Sequence, residues 1–375
     1  MVWPTRFKCS PTPLASWPSR RHEQGIRSSI RWLLSSAHRR ACPSCRNRPK
    51  SIRAVSLRFV ARMVSTCWDR RPRRDPRPMS WVNTAPADNR DDRLGRSSSG
   101  GIGKTVGMKH ALTIPPYGEL SDPAALVELA VAAEQSGWDA VFVWDHVLRR
   151  PDDPQEAADA WVAMAAMAVA TERVRLGPMV TPITRRRPIK LARECTTLDH
   201  LSGGRLTLGL GLGVDTTREL SAFGEVVDAR ERGARLDEGV ELLCQMWSGE
   251  EVDFHGEHFM ADRVTVLPRP VQQPRIPMWF AARGKARKPV RRAARYDGLY
   301  PIEVEEADLR SMLDVVVEER GSLDGFDVIV EPTDELPYRL LEELGITWAI
   351  MGPAPGDPAA FDMANTAPAE VFGID

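Results

Sequence analysis

The sequence lacks any apolar run long enough to cross a membrane. The longest candidate, Trp161 to Ala170, is only ten residues long, whereas a spanning helix needs about 20. Cysteine is also scarce, because only Cys195 and Cys244 occur after Met108. They show no pairing pattern, which argues against disulfides and for a reducing compartment. We therefore expect a cytoplasmic protein with no membrane partner.

Acidic residues are rare in the first part of the chain. The 375 residues balance 51 Lys and Arg against 51 Asp and Glu, but residues 1–107 hold 23 basic and only 6 acidic side chains. Residues 108–375 carry the opposite excess, with 28 basic and 45 acidic side chains. The first segment is rich in Arg, Ser, Pro and Trp and has no helical or strand period, so we predict that it is disordered.

Several functional interpretations of this Arg-rich segment are open. Its composition resembles that of an organelle transit peptide, and its charge would allow loose nucleic-acid binding. Cys42 and Cys45 form a single CxxC pair, whereas a zinc site needs two ligand pairs. We favour a simpler account, in which translation begins at Met108. One domain then covers residues 108–375, with no nucleic-acid partner and no metal.

From Met108 onward, short β-rich runs alternate with helical segments. Eight successive strand–helix units predict a (β/α)8 TIM barrel rather than an open doubly wound sheet. The run EEVDFHGEHFMADRVTVLPRPVQQP predicts a hairpin insertion between strands 4 and 5. The eight predicted strands are ALTI, AVFVW, VRLGPMV, RLTLGLG, IPMWFAA, GLYPI, FDVIV and ITWAIM.

Capping residues and prolines set the expected limits of the helices. The first runs from Pro123 to Ser136, with Ser121 or Asp122 as its N-cap and Gly137 as its stop. After Met351 the tail has four prolines and little helical period, so we expect the closing helix to be missing or replaced. The other predicted helices are Ala157–Thr171, Pro188–Leu201, Gly233–Trp247, Lys288–Tyr296, Ala307–Arg320 and a short Tyr338–Leu344.

Asp145 and His146 directly follow the second strand, whose five apolar residues, Ala140 to Trp144, indicate burial on both faces. In a TIM barrel the active site lies at the carboxyl ends of the strands. The two side chains are therefore candidate active-site residues. The alternative is a helix-capping aspartate beside a surface histidine. Glycines at the ends of strands 3 and 4, Gly177, Gly211 and Gly213 among them, would let backbone approach a flat ligand.

Three longer stretches resemble the luciferase-like flavin monooxygenase superfamily, which also contains enzymes that use the deazaflavin coenzyme F420. They are LVELAVAAEQSGWDAVFVWDHV, RPIKLARECTTLDHLSGGRLTLGLGLG and HGEHFMADRVTVLPRPVQQPRIPMW. The resemblance covers Met108 to about Pro353 and implies a (β/α)8 barrel with an insertion. It also implies that a flavin or deazaflavin ring sits at the carboxyl-terminal mouth.

The resemblance assigns roles to individual residues. It implies that Asp145 and His146 lie beside the ring and serve cofactor binding and proton transfer. Met179 and Val180 match a bulge that often contains a non-proline cis peptide and backs the ring. AARGKARKP matches the turn that holds the cofactor phosphate. The residues expected to bind cofactor are Asp145, Met179, Val180, Thr181, Gly211, Gly213, Arg283, Gly284 and Lys285.

We therefore expect a flavin- or deazaflavin-dependent oxidoreductase, of the luciferase-like monooxygenase type, acting on a small organic substrate. His146 and Asp145 would be its catalytic residues, and either FMN or coenzyme F420 its cofactor. Sugar-phosphate dehydrogenases of this family carry a glutamate where Val214 stands, which argues against that substrate class. Two other functions are left open: a metal-dependent barrel hydrolase that uses Asp145, His146 and His200 as ligands, and a non-catalytic flavin-binding protein. The sequence also leaves open whether the protein forms a homodimer.

Overall fold

The computed structural model describes residues 107–374, which fold as a (β/α)8 barrel. The third barrel position is split into β3 and β4, so eight positions hold nine strands. The strands are β1 (Lys109–Ile114), β2 (Ala140–Val143), β3 (Arg175–Pro178), β4 (Thr181–Pro182), β5 (Leu208–Gly211), β6 (Glu251–His255), β7 (Met260–Thr265), β8 (Met278–Arg283), β9 (Gly298–Ile302), β10 (Asp327–Val330) and β11 (Trp348–Met351).

The barrel strands pair in parallel, in the order β3-β2-β1-β11-β10-β9-β8-β5-β4. The ends of this sheet meet at a parallel bridge between Leu176 of β3 and Leu206, just before β5. There the Thr207 N–H donates to the Leu176 carbonyl at 2.9 Å. β6 and β7 pair antiparallel outside the barrel. The predicted barrel and its hairpin insertion are therefore confirmed.

Capping side chains explain where the helices begin. The Asp122 carboxylate accepts a hydrogen bond from Ala124 N, so the first helix has the predicted limits. Asp159 and Asp228 cap the second and fourth helices, which therefore begin at other residues than predicted. The helices are α1 (Pro123–Ser136), α2 (Ala160–Ala170), α3 (Pro188–Ser202), α4 (Ala229–Ser248), α5 (Arg287–Ala294), α6 (Glu306–Arg320), α7 (Tyr338–Glu343), α8 (Ala359–Asn365) and α9 (Pro368–Val371).

The irregular tail after β11 replaces a single closing helix by α8 and α9. α8 packs against α1, and the Trp138 indole N–H donates to the Thr366 carbonyl at 3.1 Å. The Phe372 ring lies 5.8 Å from that of Trp138 and 5.6 Å from that of Tyr338, centroid to centroid. The tail thus completes the outer helical layer through packing rather than through a regular helix.

Large side chains fill the barrel interior. The Trp279 ring lies 5.6 Å from Phe142 and 5.3 Å from Trp348, and all three residues are buried. The interior is therefore a packed core that confines any binding site to the mouth. Within residues 107–374, no helix combines the length and hydropathy needed to cross a bilayer. The predictions made for the Arg-rich first segment concern residues outside this range.

Candidate active site

A cavity of about 660 Å³ opens at the carboxyl ends of the barrel strands, where this fold places its active sites. Its apolar wall includes Trp144, Met179, Val180, Leu212, Ala281, Ala282 and Val330. Its ionisable residues are Asp145, His146, Arg185, Glu219, Arg283, Tyr300, Glu303 and Glu331. The structure therefore brings Asp145 and His146 to the same cavity as residues from β4, β5 and β8.

Asp145 lies in the cavity wall with its side chain only 3% exposed. Its Oδ2 accepts hydrogen bonds from Thr181 Oγ1 at 2.7 Å and from Trp161 Nε1 at 3.1 Å. Arg186 Nη2 lies 2.9 Å from the same oxygen and 3.0 Å from Oδ1. Because neighbouring donors occupy both carboxylate oxygens, Asp145 is suited to holding the β2 and β4 ends together.

His146 is held by one ring nitrogen and free at the other. Its Nδ1 lies 2.6 Å from Glu219 Oε2, and its ring packs 5.9 Å from Trp144 and 6.2 Å from Tyr117, between centroids. Within the described part of the chain, no residue hydrogen-bonds to Nε2, and the side chain is 29% exposed. The free nitrogen is available to a bound molecule.

Glu219 is the partner that fixes His146, and its side chain is only 3% exposed. Its Oε1 also accepts from the backbone N–H groups of Val147 at 2.6 Å and Leu148 at 3.2 Å. Burial alone would raise the pKa of Glu219, but His146, the Val147 N–H and Arg185 outweigh burial and lower this pKa to about 2. Glu219 is therefore ionised at neutral pH, and the Nδ1 of His146 must carry the proton that it shares.

Arg185 bridges the two buried carboxylates. Its Nη1 lies 3.1 Å from Glu219 Oε1 and its Nη2 lies 3.6 Å from Asp145 Oδ1. Nη2 also donates to the Asp145 carbonyl at 2.5 Å. The side chain is 8% exposed, and its buried Nη1 makes no well-oriented hydrogen bond. Arg185 thus offsets the charge of the two carboxylates, with its Nη1 buried against Glu219.

The ends of strands 3 and 4 form another part of the wall. The Met179–Val180 peptide bond is cis, as the family resemblance implied, and both residues line the cavity. Thr181 is fully buried behind them and contacts Asp145. Gly211 and Gly213 line the cavity too, but a Cβ at position 211 would lie 2.7 Å from Val180 Cγ2. The neighbouring strand therefore already requires glycine at position 211.

The turn between β8 and α5 contains the residues predicted to hold a phosphate. Arg283 reaches the cavity wall, where its guanidinium forms an ion pair with Glu303. Gly284, with a φ of 55°, and the exposed Lys285 lie in the turn itself and outside the cavity lining. Of the three consecutive residues predicted to hold the phosphate, Arg283 lines the cavity and the other two do not.

Four charged wall residues were not predicted from the sequence: Arg185, Glu219, Glu303 and Glu331. Two of them carry a signal that could have been used, because Glu303 and Glu331 directly follow strands β9 and β10. Glu219 lies in the irregular loop between β5 and α4, where no period or strand end marks it. Only the fold shows that this loop returns to the end of β2.

The metal-site alternative finds no matching geometry in the described residues. His200 Nε2 lies 2.7 Å from the Arg269 carbonyl oxygen, and His200 is not among the residues that line the cavity. The ligand atoms of Asp253, His255 and Asp262 do lie within 4.8 Å of one another. They are exposed on the β6–β7 hairpin, and nothing further at that cluster indicates an ion.

The sequence resembles several curated proteins, each over about half of that protein's length. A curated F420-dependent glucose-6-phosphate dehydrogenase of Nakamurella multipartita is 36% identical over 165 residues, which are 44% of this chain and 48% of the relative. That of Rhodococcus erythropolis is 39% identical over 178 residues, 47% of this chain and 50% of the relative. The chain therefore spans about half the length of the curated relatives it matches.

Solved structures and a family profile extend the likeness. A monooxygenase of Streptomyces bottropensis is 25% identical, with a TM-score of 0.53 over 71% of this chain and 80% of that one. The F420-dependent tetrahydromethanopterin reductase of Methanopyrus kandleri, at 17% identity and a TM-score of 0.56, covers 71% of this chain and 99% of that one and shows the fold alone. The luciferase-like monooxygenase profile matches residues 105–333, so the chain belongs to the luciferase-like monooxygenase family.

Proposed function

We propose that this protein is a flavin- or deazaflavin-dependent oxidoreductase that acts on a small organic substrate. The observation that carries the proposal is His146, whose Nδ1 is fixed by the ionised Glu219 while its Nε2 is free beside the cavity. Nothing in the comparisons supports the metal-dependent hydrolase or the non-catalytic carrier. The names of the relatives and structural neighbours support redox chemistry.

The residues of the cavity fit a flat ring with polar edges. Met179, Val180 and Ala281 offer apolar wall, while the Nε2 of His146 offers a polar atom to the ring edge. Met179, Val180, Thr181, Gly211, Gly213 and Asp145 would hold or support the ring. When bound, such a cofactor supplies the hydride or the activation of oxygen that protein side chains cannot supply.

The part left to the protein is to hold and move a proton at His146 Nε2. Glu219 accepts a hydrogen bond from the Nδ1–H of His146 and so keeps the imidazole in one orientation and tautomer, which is the arrangement that a general base or acid requires. Asp145 supports this from behind, because it ties Thr181 and Arg186 to the end of β2. We assign the proton transfer to His146 and a positioning role to Asp145 and Glu219.

The names of related proteins give two candidate cofactors, F420 and FMN, and the turn after β8 is the proposed site for the cofactor phosphate. The curated relatives are named F420-dependent, whereas one structural neighbour contains FMN. We propose that Gly284 and Lys285, together with the N-terminal end of α5, bind the cofactor phosphate. Arg283 joins them only when its ion pair with Glu303 opens.

Lys285→Glu tests the phosphate turn. Loss of a charge-assisted contact should weaken FMN binding at least about tenfold and leave the affinity for riboflavin, which lacks the phosphate, unchanged. Fluorescence titration measures both dissociation constants, and Lys190→Glu, a charge reversal at an exposed residue of α3, is the matched control. Equal losses for the two ligands would mean that the turn affects the fold rather than the phosphate.

The domain assignment also remains a proposal: residues 108–375 form the functional unit, in the cytoplasm, with a small-molecule substrate and no nucleic-acid partner, as a monomer or a homodimer. A chain that begins at Met108 should then melt within a few degrees of the full chain and bind cofactor with the same affinity. Differential scanning calorimetry and titration measure both quantities. A large fall in melting temperature would contradict the assignment.

Spectroscopy and metal analysis of the purified protein test the proposed function. We expect either a visible flavin or deazaflavin absorbance band or the ability to acquire one on adding cofactor, without stoichiometric metal. One metal ion per chain with no chromophore would favour the hydrolase. A tightly bound chromophore that no reductant or substrate can reduce or reoxidise would favour a flavin carrier.

A further inference from the structure

Three neighbouring strands place charged residues at one side of the cavity. Arg283 is the last residue of β8, while Glu303 and Glu331 directly follow β9 and β10, and all three line the cavity. Glu303 has a φ of 52°, a left-handed conformation that residues other than glycine rarely adopt. Such conformations concentrate at functional sites, which supports a functional role for the Glu303 carboxylate at the cavity.

The cations of the cavity wall are already paired. Among the described lining residues, the arginines are Arg185 and Arg283. Arg185 lies between Asp145 and Glu219, and Arg283 forms its ion pair with Glu303. Each guanidinium therefore already faces a carboxylate with which an anionic substrate would have to compete.

Glu331 adds a carboxyl with no ion-pair partner among the described residues. Desolvation by the surrounding protein and the nearby Glu303 both raise its pKa. A further negative charge in the cavity would meet repulsion from the carboxylates of Glu303 and Glu331, which are exposed at the cavity mouth, Glu303 with 75% of its side chain accessible. Water and salt screen part of this repulsion, so it is largest at low ionic strength. Apart from Tyr300 and Thr333, the other lining residues on this side are apolar: Pro301, Ile302, Val304, Val330 and Leu336.

We infer that the substrate of this site carries no phosphate or other dianionic group, and that Glu303 and Glu331 are the residues that exclude such molecules. The inference rests on the proposed function, because it concerns the substrate side of the same cavity. Specificity of this kind comes from an unfavourable interaction with the wrong ligand as much as from contacts to the right one. An uncharged, largely apolar organic molecule fits the wall.

This inference separates the protein from its curated relatives, which are named for glucose 6-phosphate. The match to them covers about half of their length, so their substrate does not follow from the identity. Val214 lines the cavity at the position where the resemblance implied a glutamate in sugar-phosphate dehydrogenases. The charge of the β8–β10 side is a separate reason to expect a different substrate.

Binding of cyclohexyl phosphate and of cyclohexanol to the cofactor-loaded protein tests the inference. Calorimetry on the native protein and on the double variant Glu303→Gln, Glu331→Gln measures both affinities without turnover. We expect the double variant to bind cyclohexyl phosphate at least about tenfold more tightly, because it loses two like charges and frees Arg283. Cyclohexanol should bind both proteins equally. Glu335→Gln removes a charge from the same loop outside the cavity and should change neither affinity.

Each outcome decides the matter. Equal affinities of the native and double-variant proteins for cyclohexyl phosphate, or no binding to either, would overturn the assignment of Glu303 and Glu331. Tighter binding of cyclohexyl phosphate than of cyclohexanol to the native protein would overturn the substrate class. Failure of the native protein to bind F420 or FMN at all would instead overturn the proposed function, and this is established before the probes are added.

Discussion

His146→Ala is expected to reduce turnover by about 10²- to 10⁴-fold, the range typical of a lost general acid or base. The fold should survive, because the side chain is 29% exposed and makes one strong contact, to Glu219. Cofactor affinity should change by no more than about tenfold, since one polar contact among many is lost. Steady-state kinetics with a working substrate and a cofactor titration measure the two effects.

A matched control separates catalysis from structure at this position. His255→Ala removes an exposed histidine of the β6–β7 hairpin and should alter neither turnover nor melting. If His146 were only structural, His146→Ala would lower the melting temperature and leave turnover per folded molecule intact. That result would leave His146 with a structural role only.

Glu219→Gln is expected to lower the free energy of unfolding at neutral pH by roughly 3 kcal/mol. The pKa of Glu219 falls from 4.5 in its model peptide to about 2 in the folded protein, and each unit of difference corresponds to about 1.4 kcal/mol. Because the folded-state pKa is the lower one, this stabilisation is complete above pH 4.5 and disappears as the pH falls towards 2.

The pH dependence gives the sharper measurement. Urea unfolding of the native protein should show stability falling across this acidic interval, and Glu219→Gln should flatten that part of the curve. Glu225→Gln, at an exposed position of the same loop, should leave both the stability and its pH dependence as in the native protein. Parallel curves for the native protein and Glu219→Gln would show that an ionised Glu219 does not hold His146 and the N–H groups of Val147 and Leu148.

The barrel could be predicted from the sequence because its signals are local. Apolar runs such as Ala140 to Trp144 mark strands buried on both faces, and caps such as Asp122 and Gly137 mark helix ends. The predicted starts of α2 and α4 were wrong, because Asp159 and Asp228, which cap these helices, were not recognised as caps from the sequence. After Met351, where a regular closing helix was not expected, the chain forms two short helices, of which α8 packs on α1.

The site was predictable only in part, because its contacts are distant in sequence. Asp145 and His146 follow a strand and could be found from that position alone. Their partners could not, since Glu219 is 73 residues from His146 along the chain and Arg186 is 41 from Asp145. Gly211 shows why the sequence alone was not enough. A glycine is needed there because a Cβ at position 211 would lie 2.7 Å from Val180 Cγ2, and this neighbour cannot be read from the local sequence.

One binding measurement tests the central claim most directly. The dissociation constants of F420 and of FMN are measured for the cofactor-free native protein and for the cofactor-free Ala281→Trp variant. Ala281 belongs to β8 and lines the cavity, so an indole there should fill the ring site without altering a charged residue. We predict saturable binding of one cofactor per native chain and a loss of at least about a hundredfold, some 2.7 kcal/mol, in the variant. No saturable binding of either cofactor to the native protein, or equal binding by a folded Ala281→Trp, would contradict a flavin or deazaflavin site in this cavity.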